Sequence, residues 1–460
     1  MMSRLSSYVP NQASFKGLFH RNFVRNVFVL MTGTTIAMVI PVVASPALTR
    51  LYSPRDYGVF AVFVSIISII AVPITANYDS AVMLPKKDED AMNLVGVCLA
   101  VSLFVGTGLL LLSWLLTGEA ARLLGNRHIS TWLPLVPVTA FIMGLHQTLS
   151  YWANRKRQFG RLGKNRVVES VVTPLLTLAL GFRSWGLSGL IAGLMGGKIA
   201  AAGLLARSVW SEKRRSGLSL GKKAMFEQAG RYSDFPLYSA PTSVLDIAAL
   251  QVPVFLLTRS FGPGVVGLFA LTTRVIGAPL ALVSQCVAQV YFQWVAEGRH
   301  GNGTASNVFK IAGYLVLLVS GPVIAIVLLA PSLFSLIFGA QWRVAGEYAR
   351  ILVFPLAVKF VVSPLSVIMP ATGNIRLGSL WKTIYFLSTC VVLYVASRFQ
   401  AKTFLYLYSI HDSAFYVYYF SLVVKASAST SDVPVSLWPR RLRQGITAFR
   451  GNQRISLKIG

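Results

Sequence analysis

Two short stretches of this sequence resemble each other and decide how the chain is organised. Residues 49 to 61 read TRLYSPRDYGVFA, and residues 258 to 270 read TRSFGPGVVGLFA. They share Thr, Arg, Pro, Gly, Phe and Ala at a constant offset, and apolar segments flank both. Because Pro and Gly recur in turns of all proteins, a chance match is the simplest alternative. The shared Thr-Arg and Phe-Ala flanks favour an internal repeat of the kind that transporters use.

The composition indicates an integral membrane protein. Of the 460 residues, 54% are hydrophobic and 13% are charged, against roughly 25% charged in an ordinary soluble domain. A mean hydropathy of +0.62 over the whole chain requires many apolar spans and not a single anchor helix. Cys98, Cys286 and Cys390 lie in apolar runs, where we interpret them as small hydrophobic residues and not as a disulfide framework.

Twelve apolar segments are long enough to be transmembrane helices, since a hydrocarbon core of about 30 Å needs around 20 apolar residues per helix. Each copy of the repeat follows one of these segments on the same predicted side of the membrane. We therefore expect an all-α integral membrane protein with about twelve transmembrane helices in two six-helix lobes related by a parallel repeat. The segments are approximately 26–48, 57–77, 92–116, 132–153, 167–182, 185–206, 236–258, 265–294, 311–330, 347–370, 377–397 and 403–424.

The same arrangement divides the chain into five regions. The predicted regions are a cytoplasmic N-terminal segment (1–25), an N-lobe (26–208), a basic cytoplasmic linker (209–235), a C-lobe (236–424) and a basic cytoplasmic tail, predicted to be disordered (425–460).

The net charge of +28 has two possible explanations, a nucleic-acid partner or a membrane orientation. With the N-terminus inside, 29 Lys and Arg residues fall on the inward side and nine on the outward side. Cytoplasmic loops carry such an excess of cations, so the charge favours an inner-membrane protein with both termini in the cytoplasm. No nucleic-acid partner is needed to explain it.

No catalytic motif stands in a suitable context. Gly217, Ser219 and Gly221 match the G-x-S-x-G of serine hydrolases, but they lie in a basic loop with no preceding strand. The same loop lacks the spacing and the Ser or Thr of a phosphate-binding loop. We therefore expect no catalytic residue, no metal, no cofactor and no enzymatic activity.

Charged residues inside the apolar segments are the best candidates for function, because burying a charge in hydrocarbon is costly. Lys198 and Lys359 lie near mid-membrane, while Asp246 and Arg274 lie at similar depths on consecutive helices and could pair. The alternative is a structural ion pair with two snorkelling lysines. Arg274 also begins a polar stripe at helical spacing, which either faces a water-filled cavity or packs against another helix. The stripe comprises Arg274, Ala278, Ala281, Gln285 and Gln289.

Several segments resemble the bacterial polysaccharide flippases of the multidrug/oligosaccharidyl-lipid/polysaccharide exporter superfamily, of the O-antigen translocase type. They include LTRLYSPRDYGVFAVF (48–63), YDSAVMLPKKDEDA (78–91), FGPGVVGLFALTTRVIGAPL (261–280), FGAQWRVAGEYARIL (338–352) and SPLSVIMPATGNIRLGSLW (363–381). The resemblance implies twelve helices in two lobes and export of an undecaprenyl-diphosphate-linked oligosaccharide by alternating access. After Phe399 the chain becomes polar earlier than such proteins usually do.

This resemblance leaves three hypotheses. The first is a flippase for lipid-linked glycans, with membrane lipids, a polysaccharide polymerase and chain-length machinery as partners. The second is a drug/cation antiporter of the same superfamily, which needs acidic cavity residues; the candidates are Asp79, Glu169 and Asp246. The third is a membrane-embedded glycan polymerase or acyltransferase, which needs acid, base or nucleophile groups in the short outward loops. The surplus of cations over acids inside the spans favours an anionic diphosphate cargo.

Overall fold

A computed structural model describes residues 21–123, 127–296, 304–371 and 375–432, and within these ranges the chain is helical with no β-strand. A break at Gly262, with φ of 80° and ψ of 173°, divides α9 into residues 240–261 and 263–296. The α-helices are α1 (Arg21–Leu51), α2 (Pro54–Ala71), α3 (Tyr78–Ala81), α4 (Asp88–Leu123), α5 (Leu135–Arg155), α6 (Phe159–Phe182), α7 (Leu187–Arg215), α8 (Lys222–Arg231), α9 (Ala240–Ala296), α10 (Thr304–Phe338), α11 (Arg343–Leu365), α12 (Ile368–Ala371), α13 (Ile375–Ala396) and α14 (Ala401–Asp432).

The prediction of an all-α integral membrane protein is confirmed. Each of the twelve apolar segments lies largely on a helix of the described chain, and α9 carries two of them. Seven helical stretches are long and apolar enough to cross a membrane by these two criteria alone. The number of crossings, the two lobes and the five regions stay predictions. The seven stretches are Thr32–Leu51, Pro54–Thr75, Asp88–Leu115, Leu187–Arg215, Phe235–Tyr291, Ser306–Phe338 and Ala340–Leu365.

The segment predicted as a cytoplasmic linker is partly helical. Helix α7 continues to Arg215, and α8 follows within the same segment. Helix α8 packs against α4, and at its start the backbone N–H of Gly221 donates to the side chain of Asn93 at 3.0 Å. The linker is thus attached to the N-terminal half. At the other end of the chain, α14 extends into the predicted tail as far as Asp432, while residues 433–460 lie outside the described ranges.

The two copies of the repeat contact each other where α2 crosses α9. A capping box of Ser53 and Asp56 begins α2, with Pro54 in its first turn. A Cβ added at Gly58 would overlap the carbonyl oxygen of Pro263, and a Cβ added at Gly267 would overlap that of Pro54. Pro54 corresponds to Pro263 in the repeat and Gly58 corresponds to Gly267, so the contact is reciprocal. We call these four residues the Pro–Gly crossing.

Further contacts join the two halves beside this crossing. The indole N–H of Trp342 and the side-chain amide of Gln341 both donate to the carbonyl of Thr49, at 2.9 and 3.0 Å. The rings of Tyr57 and Trp342 meet edge to face, with centroids 5.1 Å apart. The N- and C-terminal halves are therefore closed against each other on the side that the charge distribution predicts to be outside.

Small residues bring α6 and α7 unusually close. A Cβ added at Gly193 would overlap the hydroxyl of Thr177, and one at Gly197 would overlap the hydroxyl of Thr173. Glycines four residues apart allow two membrane helices to approach closely. Gly197 precedes Lys198, and Thr173 lies one turn after Glu169. This close approach places the charged side chains of the two helices within reach of each other.

Candidate functional site

A polar cluster links three helices of the N-terminal half. Lys198 Nζ on α7 lies 2.6 Å from Glu169 Oε1 on α6. His146 Nε2 on α5 lies 4.0 Å from the other oxygen of this carboxylate and 2.7 Å from Asn165 Nδ2. We call His146, Asn165, Glu169 and Lys198 the α5–α7 cluster. Lys198 thus has a carboxylate as its partner and does not snorkel alone.

A second cluster links three helices of the C-terminal half. Lys359 Nζ on α11 lies 2.7 Å from Asp412 Oδ2 on α14, and Tyr385 on α13 donates its hydroxyl to Asp412 Oδ1 at 2.6 Å. The Lys359 ammonium also lies over the rings of Tyr416 and Tyr408, at 5.1 and 6.0 Å from their centroids. We call Lys359, Tyr385 and Asp412 the α11–α14 cluster. It explains how α14 accommodates an acidic residue within an aromatic helix.

The predicted pair of Asp246 with Arg274 is wrong. Asp246 Oδ2 instead lies 2.7 Å from Lys382 Nζ on α13. Equal depth on consecutive helices made the first pairing possible, but depth alone does not fix the direction in which a side chain points around its helix. Asp246 points to α13, whereas Arg274 belongs to the other segment of α9.

The polar stripe of α9 is exposed. Arg274, Ala281, Gln285 and Gln289 are all exposed, and Ala278 is half-buried. Arg274 lies close enough to Tyr57 to interact electrostatically with it. No acidic side chain forms an ion pair with Arg274 in the part of the chain that the structure describes. Among the three predicted cavity cations, Arg274 is therefore the one for which the described residues provide no carboxylate partner.

Asp79 is fully buried beside an interruption of the chain after α2. Ala76 and Asn77 adopt left-handed conformations there, with φ of 49° and 59°. The hydroxyl of Thr75 and the amide of Gln147 donate to the two carboxylate oxygens of Asp79, at 2.9 and 2.7 Å. Over the described ranges no Lys, Arg or His lies within ion-pair distance of Asp79. The carboxyl group is thus held by neutral donors.

Sequence reasoning found the lysines but missed their partners. The sequence pattern indicates Glu169 only as a cavity acid, and it does not indicate His146, Asp412 or Lys382 as partners of the predicted charges. Over the described ranges the four predicted charged residues do not pair with one another: Lys198, Lys359 and Asp246 have other partners, and Arg274 lies apart from them. One signal was available, because charged residues at the middle of a span need a counter-charge at the same depth on another helix.

Comparison with known proteins identifies the class that this architecture defines, a multi-pass, all-helical membrane protein with the fold of known transporters. The lipid II flippase MurJ in an inward closed conformation superposes with a TM-score of 0.66 at 12% identity, over 88% of this chain and 90% of that one. A multidrug resistance MATE family transporter of the MOP superfamily, in its inward-facing conformation, gives a TM-score of 0.61 at 14% identity, over 86% and 96%. At such identities the likeness shows the fold alone.

The chain belongs to the family described as polysaccharide biosynthesis protein, which it matches over residues 47–347. It is also 22% identical over 379 residues to the succinoglycan biosynthesis transport protein ExoT of Rhizobium meliloti (strain 1021), covering 78% of this chain and 70% of that protein. The resemblance to the polysaccharide flippases is thereby confirmed.

Proposed function

We propose that this protein is a flippase that moves undecaprenyl-diphosphate-linked oligosaccharides across the bacterial inner membrane during assembly of a surface polysaccharide. The observation that carries this proposal is the family match over residues 47–347. The similarity to a succinoglycan biosynthesis transport protein and the shared fold of a lipid II flippase support a lipid-linked glycan as the cargo. The product would be O-antigen, capsule or exopolysaccharide.

The exposed stripe of α9 supports a water-filled cavity. Arg274, Gln285 and Gln289 are exposed on one face, and a cation facing lipid near the middle of a membrane is costly. A cavity between the halves removes this cost and places a guanidinium group where a diphosphate would pass. Arg forms bidentate contacts with phosphate oxygens and stays protonated when partly desolvated. Arg274 is therefore our principal substrate-binding residue, with Gln285 and Gln289 as neutral donors.

Lys198 and Lys359 remain proposed substrate-binding residues, with one added condition. Each has a carboxylate partner, so each would bind an anion only after that acid is displaced. The reciprocal contact of the repeat supports alternating access, in which two similar halves rock about the cargo. Both termini are proposed to be cytoplasmic, and a polymerase and chain-length machinery are proposed as partners.

The test is transport of a fluorescent polyprenyl-diphosphate-linked oligosaccharide by the purified chain in liposomes. We expect the labelled lipid to move between leaflets, as measured by its accessibility to an impermeant quencher, while an unglycosylated phospholipid does not. Movement of neither lipid, with efflux of organic cations instead, would favour the antiporter. Appearance of polymerised glycan would favour the enzyme.

A further inference from the structure

We propose that helix α8, together with the end of α7, binds anionic phospholipid headgroups at the cytoplasmic surface of the membrane. Two aromatic side chains and four cations lie there, on both sides of the short connection between the helices. The inference concerns the surrounding membrane and not the cargo, so it does not depend on the proposed function. We call this set the α7–α8 basic surface, and it comprises Trp210, Lys213, Arg214, Lys222, Lys223 and Phe226.

The connection between α7 and α8 ends the first helix and changes the direction of the chain. Gly217 has a left-handed φ of 62°, and the backbone N–H of Leu218 donates to the carbonyl of Lys213 at 3.3 Å. A glycine in this conformation, with a hydrogen bond back to the last turn, is a common way to end a helix. Helix α8 therefore does not continue the axis of α7 into the cytoplasm.

Both ends of α8 are held at the predicted inner end of a span. At its start, the backbone N–H of Gly221 donates to Asn93 Oδ1 at 3.0 Å, and Asn93 lies in the first turn of the third predicted span. Near its other end, the carbonyl of Ala229 accepts a hydrogen bond from the Tyr78 hydroxyl at 3.1 Å, and Tyr78 directly follows the second predicted span. A helix fixed at both ends to one level of the membrane lies along the membrane surface.

The outer face of α8 combines an aromatic ring with two cations. Phe226 is 80% exposed, whereas Gln228 is buried on the opposite side of the helix. At 3.6 residues per turn, the exposed Lys222 and Lys223 lie within about 60° of Phe226, one on each side of it. Such a ring can enter the boundary between headgroups and acyl chains while the ammonium groups stay among the headgroups. This arrangement is typical of a helix that lies in the membrane interface.

The end of α7 has the same chemistry. Trp210 is 55% exposed and lies about one turn beyond the sixth predicted span. The Lys213 ammonium and the guanidinium carbon of Arg214 lie over its ring, 4.9 and 5.8 Å from the centroid. Tryptophan is enriched at the interface between membrane and water. The two aromatic side chains of the basic surface thus both stand beside cations at the inner end of the spans.

Acidic side chains do not neutralise this surface. Over the described ranges none of its four cations forms an ion pair. Glu212 pairs instead with Lys156 at 3.6 Å, and Glu227 is exposed on α8. Anionic lipids give the cytoplasmic leaflet a negative potential that attracts basic residues next to a span. An acidic protein offers the same sign of charge, but the position of α8 along the membrane surface favours lipid.

The test is photocrosslinking of the full chain in vesicles. A photoreactive phenylalanine analogue replaces Phe226, and the vesicles contain phosphatidylcholine alone or mixed with phosphatidylglycerol of the same acyl chains. We expect lipid adducts at this position, enriched about tenfold in phosphatidylglycerol over its share of the membrane, because each nearby lysine adds a several-fold preference. Mass spectrometry of the adducts measures this enrichment. Salt at about 1 M should remove most of it, since the Debye length is then about 3 Å.

Two pairs of adjacent lysines provide the comparison. Lys222→Gln with Lys223→Gln should lower the enrichment to about twofold or less. Lys86→Gln with Lys87→Gln should leave it unchanged, because these exposed lysines precede three acidic residues in the first turn of α4. Equal effects of the two pairs, or adducts in proportion to the bulk lipid, would overturn the inference. Crosslinking of position 226 to a cytoplasmic protein in whole cells, in place of lipid, would overturn it too.

Hydrogen exchange of the unmodified chain is a second measurement, which decides the matter if the photoreactive chain does not fold. Residues 217–231 should exchange more slowly in vesicles that contain phosphatidylglycerol, because the bound headgroups hold α8 in place. Lys222→Gln with Lys223→Gln should remove the difference, and equal exchange of the wild-type segment in both kinds of vesicle would contradict the inference. Neither measurement includes a glycolipid, so failure here leaves the proposed function untouched.

Discussion

At the scale of single residues, the mid-membrane charges differ in whether a counter-charge is present. Lys198 and Lys359 contact carboxylates on neighbouring helices, at 2.6 and 2.7 Å, whereas Arg274 is exposed with no acidic partner over the described ranges. A lysine whose charge is neutralised by a carboxylate attracts a passing anion only weakly. The guanidinium of Arg274, which has no acidic partner over the described ranges, attracts it more strongly.

Replacement of Arg274 tests this difference. We expect Arg274→Ala to abolish glycolipid transport at normal protein levels and Arg274→Lys to restore it only in part, because an ammonium cannot form the bidentate contact. Since Asp246 pairs with Lys382, adding Asp246→Ala should not rescue Arg274→Ala. Arg398→Ala, an exposed arginine beside Tyr394, serves as the control and should transport normally. Rescue by the second change would indicate a structural role for Arg274.

The α11–α14 cluster predicts a stability effect. Asp412→Ala leaves the Lys359 ammonium without its partner inside the protein, which should lower the free energy of unfolding by about 3 to 5 kcal/mol. The double change Lys359→Met with Asp412→Leu should recover most of this loss, because neither charge then remains. Glu347→Ala, in the exposed pair, should change it by about 1 kcal/mol or less. Denaturant unfolding in detergent measures all three; equal effects at Asp412 and Glu347 would contradict the assignment.

Sequence could identify Lys198 and Lys359, but it could not pair them. Residue number along a helix gives depth, and depth placed both near mid-membrane. The partner depends on which helices are neighbours and how each is rotated, and these follow from packing such as the glycine contacts of α6 with α7. The false Asp246–Arg274 pair has the same origin.

At the scale of helices, the polar clusters explain which of the predicted spans fail a hydropathy criterion. Helices α5, α6 and α14 are not among the seven sufficiently apolar stretches. They carry His146, Glu169 and Asp412, the titratable partners described above. Their lower hydropathy is consistent with polar side chains that pair inside the protein.

The Pro–Gly crossing makes a prediction about how helices α2 and α9 approach. Gly58→Ala or Gly267→Ala puts a methyl group onto a backbone carbonyl, so the helices have to separate, and we expect a loss of about 1 to 3 kcal/mol in the free energy of unfolding. Gly108→Ala on α4, where a Cβ meets no atom within 4 Å, should be neutral or stabilising. Thermal unfolding of the purified variants measures this. Equal stability of the Gly58 and Gly108 variants would show that the contact is looser than described.

At the scale of the whole molecule, the orientation can be tested by labelling. Single cysteines at Arg183 and Arg343 should react with an impermeant reagent added to whole cells, whereas one at Arg214 should react only after the membrane is opened. All three side chains are exposed, so lack of reaction would not reflect burial in the protein. Labelling of the cysteine at position 214 from outside would show that the predicted orientation is inverted.

The attachment of α8 to the N-terminal half refines where the chain can be divided. Tyr78 donates to the carbonyl of Ala229 at 3.1 Å, so α8 belongs with the helices before it. Two fragments divided between Ser233 and Asp234 should assemble and transport when they are expressed together. A division between Ser216 and Gly217 separates α8 from α4 and should assemble less well. Co-purification of the fragments measures both, and equal assembly would contradict the attachment.

The reciprocity of the Pro–Gly crossing has a consequence for the descent of the chain. If both halves derive from one duplicated six-helix unit, that unit would have formed a homodimer. The same residues of both copies would then have formed the two sides of the contact. The two copies differ elsewhere, since Ser53 and Asp56 cap α2 while the equivalent positions are Gly262 and Val265. The proline and the glycine stand in both copies, and each glycine lies against the proline carbonyl of the other helix, where a Cβ would overlap. In homologous chains, these four positions should therefore vary together or not at all.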